Sequence, residues 1–311
     1  MSQSELLTKT LAQQYGIVLL YHGLFDAAPP ELGAEFHNVS AEHLFQQLEW
    51  LSRHFRFVSV DEYCASSQRA GLAAVTADDG YQSVLDNSMQ VFEALEIPIA
   101  LFVNRSFLEG GIFWRDKVRT VIAQGRVDEF ERRFAGRFKA KVGQSFYRYT
   151  KDPQNNSIDV ESALDEFLEG EVGLEQLTRY YLKSTKPLLA HPLLSYGSHS
   201  VNHYVLSSLR EEQQWREIED NWRFLNTFKD IQRTAAFSIP FGGERDYNDA
   251  TLRLARDAGH SAALLSRGVI TKAERHTSGD HWTVDRFMVR AQSPSELVDA
   301  LVKGADRSVR R

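Results

Sequence analysis

Ala73-Ala74-Val75-Thr76-Ala77-Asp78-Asp79-Gly80-Tyr81 is the stretch that decides how this chain is read. A run of small and apolar residues ends in two adjacent carboxylates and a glycine. Val84, Ser88, Val91 and Leu95 then recur at helical spacing. Consecutive apolar positions, rather than alternating ones, mark a strand buried on both faces. A strand that feeds a helix in this way is half of a parallel βα unit.

The same rhythm extends in both directions. Strands are expected at 17–21, 57–60, 73–76, 99–103, 194–198, 235–239, 261–265 and 287–289. Leu44, Leu48, Leu51 and Phe55 follow Ser40, which can cap their helix. Ser208 and Glu211 read as a capping box ahead of Trp215, Ile218, Trp222 and Leu225. About eight strands alternating with helices predict an α/β fold, a distorted or incomplete (β/α) barrel. The region from about 113 to 192 breaks the rhythm. It is charged and helix-like, as in Arg126-Val127-Asp128-Glu129-Phe130-Glu131-Arg132-Arg133, and Asp152-Pro153-Gln154-Asn155-Asn156 interrupts it as a loop. It reads as a helical insertion between two barrel units, serving either as a solvated cap or as a substrate-binding arm.

With 311 residues, 42% of them hydrophobic, the chain can build one large core or two ordinary ones. A net charge of -6 gives no global attraction to nucleic acid. Cys64 is the only cysteine, which excludes an intramolecular disulfide and a cysteine-rich zinc site. No run approaches the ~18 apolar residues that span a bilayer. The first residues, MSQSELLTKTLAQQYG, lack the basic and apolar regions of a secretory signal, so a cytoplasmic location is expected.

A second motif, His199-Ser200-Val201-Asn202-His203, sets two imidazoles at i and i+4, where one helical turn would face them the same way. In a parallel barrel the C-terminal strand ends form the active face. Two adjacent carboxylates there repel unless a cation offsets one of them, leaving the other free to accept a proton. Two histidines and one aspartate would make a three-ligand site with room for water, the pattern of a catalytic metal. Taken singly, Asp-Asp-Gly also fits a turn capping the next helix, and the histidines fit a solvated turn. In Phe237-Ser238-Ile239-Pro240-Phe241-Gly242-Gly243 a strand runs into a sharp turn, from which the Phe241 N–H could bind an oxyanion.

These three segments, in this order, resemble the polysaccharide deacetylase family, carbohydrate esterase family 4. That family carries Thr-Phe-Asp-Asp-Gly, then His-(Ser/Thr)-x-x-His, then a segment ending Pro-(Tyr/Phe)-Gly. Val18-Leu19-Leu20-Tyr21-His22 looks like the Tyr-His that opens its domain, and 97–103 looks like its second core strand. The resemblance implies that 1–311 form one deacetylase-like barrel domain with the insertion at about 113–192. It implies a divalent metal, zinc above all, held by Asp79, His199 and His203, with Asp78 as catalytic base. Two histidines and one aspartate suit cobalt, nickel or iron as well.

Three departures stand out. Ala77 replaces the family's aromatic residue. Ser238 stands where many members have an arginine that orients the base, and Arg286 resembles a late arginine able to fill that role. The late Leu-x-His motif that supplies the general acid is missing, which leaves His22, His276 and His281 as candidates, His22 preferred because it ends the first strand. Tyr81 and Trp114 are the candidate substrate contacts. The activity implied is metal-dependent removal of an N-acetyl or similar acyl group from an amino sugar or glycan precursor. The alternatives are hydrolysis of a cyclic amide or formamide, and a catalytically impaired carbohydrate-binding protein.

Overall fold

The computed structural model describes residues 3–33, 36–270, 272, 282–290 and 292–309. Among them the chain forms strands β1 (Ile17–Tyr21), β2 (Arg56–Phe57), β3 (Leu72–Ala77), β4 (Ile99–Val103), β5 (Leu194–Ser198), β6 (Gln232–Ser238), β7 (Ala262–Leu265), β8 (Thr283–Asp285) and β9 (Phe287–Met288). The α-helices are α1 (Gln3–Gln14), α2 (Ala41–Ser52), α3 (Val60–Ala65), α4 (Ser83–Leu95), α5 (Arg105–Leu108), α6 (Trp114–Ala123), α7 (Val127–Arg133), α8 (Phe146–Tyr149), α9 (Ser157–Phe167), α10 (Glu211–Leu225), α11 (Asp249–Asp257) and α12 (Pro294–Val309).

The strands make one parallel sheet in the order β8-β7-β6-β5-β4-β3-β1-β9, with β2 paired to β3 off this path. Its two ends, β8 and β9, are separated in sequence by Arg286 alone. The sheet therefore curls until its edges meet through one residue, giving a distorted, incompletely closed (β/α) barrel. Alternate strand residues serve two cores. Ile17, Leu19, Ala73, Val75, Leu101 and Val103 pack against the surrounding helices. Val18, Ala74, Ala100, Phe102, Ala236, Ala262 and Leu264 point the other way and fill the lumen, together with Val60 and Tyr63 of α3. Burial on both faces explains the unbroken apolar runs. Cys64, half-buried, packs beside this inner core, and burial pushes its thiol up to about 12, which disfavours the reactive thiolate.

Three local expectations change. The strand expected at 57–60 stops at Phe57, because Ser59 caps α3 by accepting from the Glu62 N–H at 3.1 Å. The capping box expected at Ser208 and Glu211 does not form. Instead α10 begins at Glu211, Gln213 Oε1 accepts from the Arg210 N–H at 3.0 Å, and Ser208 Oγ accepts from the Ser157 N–H at 3.1 Å. Strand β8 was not anticipated, since Thr283-Val284-Asp285 carries a single apolar residue.

Between β4 and β5 the described chain is helical, from α5 to α9 and on to a 3₁₀ segment at Leu174–Tyr180. Phe130, Phe134, Phe146 and Phe167 form its aromatic centre, with ring centroids 4.7–5.3 Å from that of Phe130. Its end is tied to the first motif: the Gln82 N–H donates to Tyr180 O at 2.7 Å, and the Leu182 N–H to Gly80 O at 2.9 Å. No helix among the described residues is long and apolar enough to cross a membrane.

Candidate active site

Sheet register brings the motifs together. Tyr21 pairs with Ala77, Ala77 with Leu101, Val103 with Ser198, and Ser198 with Phe237. The residues just beyond these, His22, Asp78, Asp79, Asn104, His199 and Ser238, therefore emerge at one end of the barrel. There a cavity of about 840 Å³ is lined by His22, Asp78, Asp79, Tyr81, His199, His203 and Phe241, among others.

Asp79, His199 and His203 each offer one ligand atom, all within 4.8 Å of one another, and all three residues are buried. Asp79 Oδ1 lies 3.5 Å from His199 Nε2 and 3.3 Å from His203 Nε2, yet has no hydrogen-bond partner. His199 Nδ1 sits 2.7 Å from Ser238 O, which fixes a ring proton there and turns Nε2 inward toward the two aspartates, whose charges raise the ring's pKa against burial. Burial pushes His203 down to about 3 against the pull of Asp79, so it is a neutral imidazole at pH 7. Burial would raise the Asp79 carboxyl, but the three neighbouring histidines outweigh it and hold it lowered and ionised. A buried carboxylate oxygen without a proton donor, facing two imidazole nitrogens, fits a divalent cation on one oxygen and two nitrogens.

Asp78 has a different environment. Arg286, itself fully buried, grips it bidentately with Nη1–Oδ1 at 2.8 Å and Nη2–Oδ2 at 2.7 Å. Ser238 Oγ donates to Asp78 Oδ2 at 3.0 Å and accepts from Arg286 Nη2 at 2.8 Å. Burial pushes the Asp78 carboxyl upward, but Arg286 and His199 prevail and hold it lowered. Arg286 can reach Asp78 because it is the residue that joins β8 to β9 at the barrel seam. The serine at the family's arginine position is thus one corner of an Asp-Arg-Ser triangle.

The backbone here is strained. Asp79, Ser200, His203 and Phe241 all have φ between 59 and 69°, and the remaining non-glycine residue with positive φ among those described, Glu96, ends α4. Each such residue costs on the order of 1–3 kcal/mol, and their clustering is characteristic of functional sites. At Phe241 the strain is a γ-turn closed by the Gly242 N–H donating to Pro240 O at 2.7 Å. Gly242 must be glycine: its φ is +65°, and a Cβ would meet the Ser266 nitrogen at 2.4 Å. The turn leaves the Phe241 N–H without a partner among the described residues and sets its ring 4.6 Å from that of His203.

His22 lines the cavity at the end of β1. Burial lowers its pKa against the pull of Asp79 and Asp78, and its Nδ1 is buried without a partner. His276 and His281 lie outside the described residues. Tyr81 lines the cavity, its hydroxyl 3.3 Å from that of Tyr181, which donates to Asp116 at 2.9 Å. Trp114 does not line it. The indole is 1% exposed and donates to His203 O at 3.0 Å, behind the 199–203 loop rather than in the cavity.

The 199–203 loop rests on three residues that the motifs did not flag. Asn104 Nδ2 donates to His199 O and, at 3.0 Å, to Ser200 O. Glu217 accepts from the Asn202 N–H at 2.8 Å and from Asn202 Nδ2 at 2.7 Å. Asn221 Nδ2 bridges Val103 O at 2.9 Å and Ser198 Oγ at 2.8 Å. A signal for two of them existed: Gln214, Glu217 and Asn221 put polar side chains on the buried face of α10, beside Ile218 and Leu225.

The geometry defines a distorted (β/α) barrel with a buried Asp-His-His group at one end, and comparison with known proteins agrees on the fold. A family model described as polysaccharide deacetylase matches residues 175–263, the stretch that carries both histidines and Phe241. Among solved structures, Streptococcus pyogenes deacetylase PplD in complex with acetate superposes with a TM-score of 0.56 at 15% identity, covering 92% of this chain and 98% of that one. IcaB from Ammonifex degensii gives 0.54 at 17%, covering 92% and 97%. A de-N-acetylase from Aggregatibacter actinomycetemcomitans gives 0.52 at 14%, covering 93% and 100%. No curated protein matches the chain. The resemblance to the polysaccharide deacetylase family read from the motifs is borne out.

Proposed function

We propose that this protein is a metal-dependent hydrolase that removes an N-acyl group, chiefly N-acetyl, from an amino sugar. One observation carries the reading: a buried, unpartnered Asp79 oxygen facing two imidazole nitrogens, beside a second aspartate locked by Arg286. Asp79, His199 and His203 would hold a divalent cation, zinc above all, which when bound supplies Lewis acidity to the acyl carbonyl and the attacking water.

The chain's own groups account for the proton traffic. Asp78, kept ionised by Arg286, accepts a proton from the water that attacks the acyl carbon. The Phe241 N–H donates to the oxyanion that develops on the carbonyl. A C–O bond forms and the C–N bond breaks, giving a carboxylate and an amine, which must leave protonated. Burial keeps His22 neutral, so the transferable proton is the one that Asp78 has taken, and we assign His22 to pass it on. A cavity of about 840 Å³ exceeds the need of a small cyclic amide and suits a substituted sugar. The retained Asp-Arg pair speaks against a binding protein with lost catalysis, since burying it brings no advantage to sugar binding.

The test is release of acetate from soluble N-acetyl amino sugars and their conjugates, with and without chelator. Chelator-sensitive release restored by added metal supports the reading. Release unaffected by chelation, or none with a metal-loaded protein across the panel, contradicts it.

A further inference from the structure

The cavity has a second wall that deacetylation alone does not require. Beyond the aspartates and histidines it is lined by Arg115, Arg119, Arg148 and Lys151 of the helical segment, and by Arg290 after β9. Arg119 is paired with Asp116. The other four have no carboxylate within ion-pair distance among the described residues. The carboxylates that line the cavity are Asp78 and Asp79, already matched by Arg286 and the histidines.

Arg115 is the telling member. It is 1% exposed, donates to Thr150 Oγ1 at 2.9 Å and to Tyr147 O at 2.7 Å, and stacks on Tyr147 and Trp114 at 4.1 and 4.6 Å. Its Nε is buried with no partner. Asp116 offsets part of the cost of withdrawing this guanidinium from water but is itself paired with Arg119, and a bound anion would offset the rest. Lys151 brings this wall up to the reaction centre: its Nζ lies 4.9 Å from the Phe241 ring centroid, and that ring also contacts His203.

We propose that this wall is an anion subsite and that the substrate is an N-acylated amino sugar bearing a phosphate ester, bound by Arg115, Arg148, Lys151 and Arg290. The sugar and its acyl group rest on the deacetylase reading; the anion subsite does not. A phosphate is favoured over a carboxylate because four cations without a carboxylate in ion-pair distance line one cavity, with Asp116 and Asp246 acting on Arg115 and Lys151 only at longer range, which leaves more charge than a single carboxylate neutralises.

The experiment is isothermal titration calorimetry on the full chain stripped of metal by chelator, so that phosphate cannot bind through a metal ion. The probes are N-acetylglucosamine, N-acetylglucosamine 1-phosphate and glucuronic acid. The phosphate should bind at least about tenfold more tightly than the neutral sugar, as expected for charge-assisted hydrogen bonds, and its advantage should shrink with added salt. Arg148→Ala with Lys151→Ala, both outside the core, should abolish that advantage and leave the neutral sugar's affinity unchanged; Arg115→Lys should reduce it. Equal affinity for charged and neutral sugars, or equal weakening of both in the double variant, overturns the subsite. Tighter binding of the uronate than of the phosphate overturns the phosphate assignment. Because the readout is metal-free binding, it stands or falls separately from deacetylation.

Discussion

Replacing Arg286 by methionine tests the architecture most severely, because one side chain closes the barrel seam and holds Asp78, the proposed base. In the native protein Arg286 is fully buried, makes two hydrogen bonds to Asp78 and one to Ser238 Oγ, and lies over the Phe102 ring at 5.8 Å. Arg286→Met keeps most of the volume and removes the charge. It leaves Asp78 buried with Ser238 as its remaining hydrogen-bond donor. Removing one partner of a buried pair costs about 3–5 kcal/mol, because the other charge is stranded. For a chain of 311 residues that is a fall in melting temperature of roughly 5–8 °C.

The sign with pH follows from Asp78. Its folded pKa is depressed, so the pair's stabilisation is present above the ordinary carboxyl pKa and is lost as pH falls through the depressed value. The gap between native and Arg286→Met stability should therefore be widest near neutral pH and close in acid. With Arg286 gone, burial raises the Asp78 carboxyl against the weaker pull of His199 and His22, and the acid limb of the pH–rate profile moves to higher pH. Adding Asp78→Asn removes the stranded charge and should recover most of the lost stability. The assay is denaturant unfolding of chelator-treated protein from acid to neutral pH, with kcat measured in parallel on the metal-loaded form. A cost below about 1 kcal/mol for Arg286→Met, or no recovery in the double variant, would refute the reasoning.

Three further outcomes are expected. Asp78→Asn should lower kcat by about 10²–10⁴-fold while bound metal, measured by elemental analysis, is unchanged. Glu217 is pushed up from 4.5 to about 7 by burial. Its protonated form is favoured by folding, so the stability it contributes is greatest below its ordinary pKa and falls by roughly 3 kcal/mol as pH rises through 7; Glu217→Gln should flatten that slope in thermal melts at pH 5 and 8. Trp114→Phe removes the hydrogen bond to His203 O and should lower kcat up to about tenfold with KM unchanged, whereas a raised KM would restore Trp114 as a substrate contact.

Much of this was legible from residue order. Unbroken apolar runs gave the buried parallel strands, because helices outside and small residues inside cover both faces of the sheet. The acids after β3 and the histidines after β5 were readable as a unit because register in a parallel barrel aligns strand ends. Tertiary closure was less legible. Thr283-Val284-Asp285 is too short and polar to announce a strand, and it forms because β7 offers it an edge. Trp114 read as a sugar-stacking residue from its position at the start of the insertion, but its surroundings fold it behind His203. The cationic wall was invisible for the same reason: Arg115 and Arg290 are far apart in sequence, and folding brings them to one cavity.

The central claim is tested most directly by metal content and activity measured on the same samples. Protein purified without chelator should hold about one divalent ion per chain, as expected of a single three-ligand site. Asp79→Ala and His203→Ala should lose it, and acetate release from an N-acetyl amino sugar should fall in proportion. Metal retained by both variants, or acetate release independent of metal content, would contradict the account.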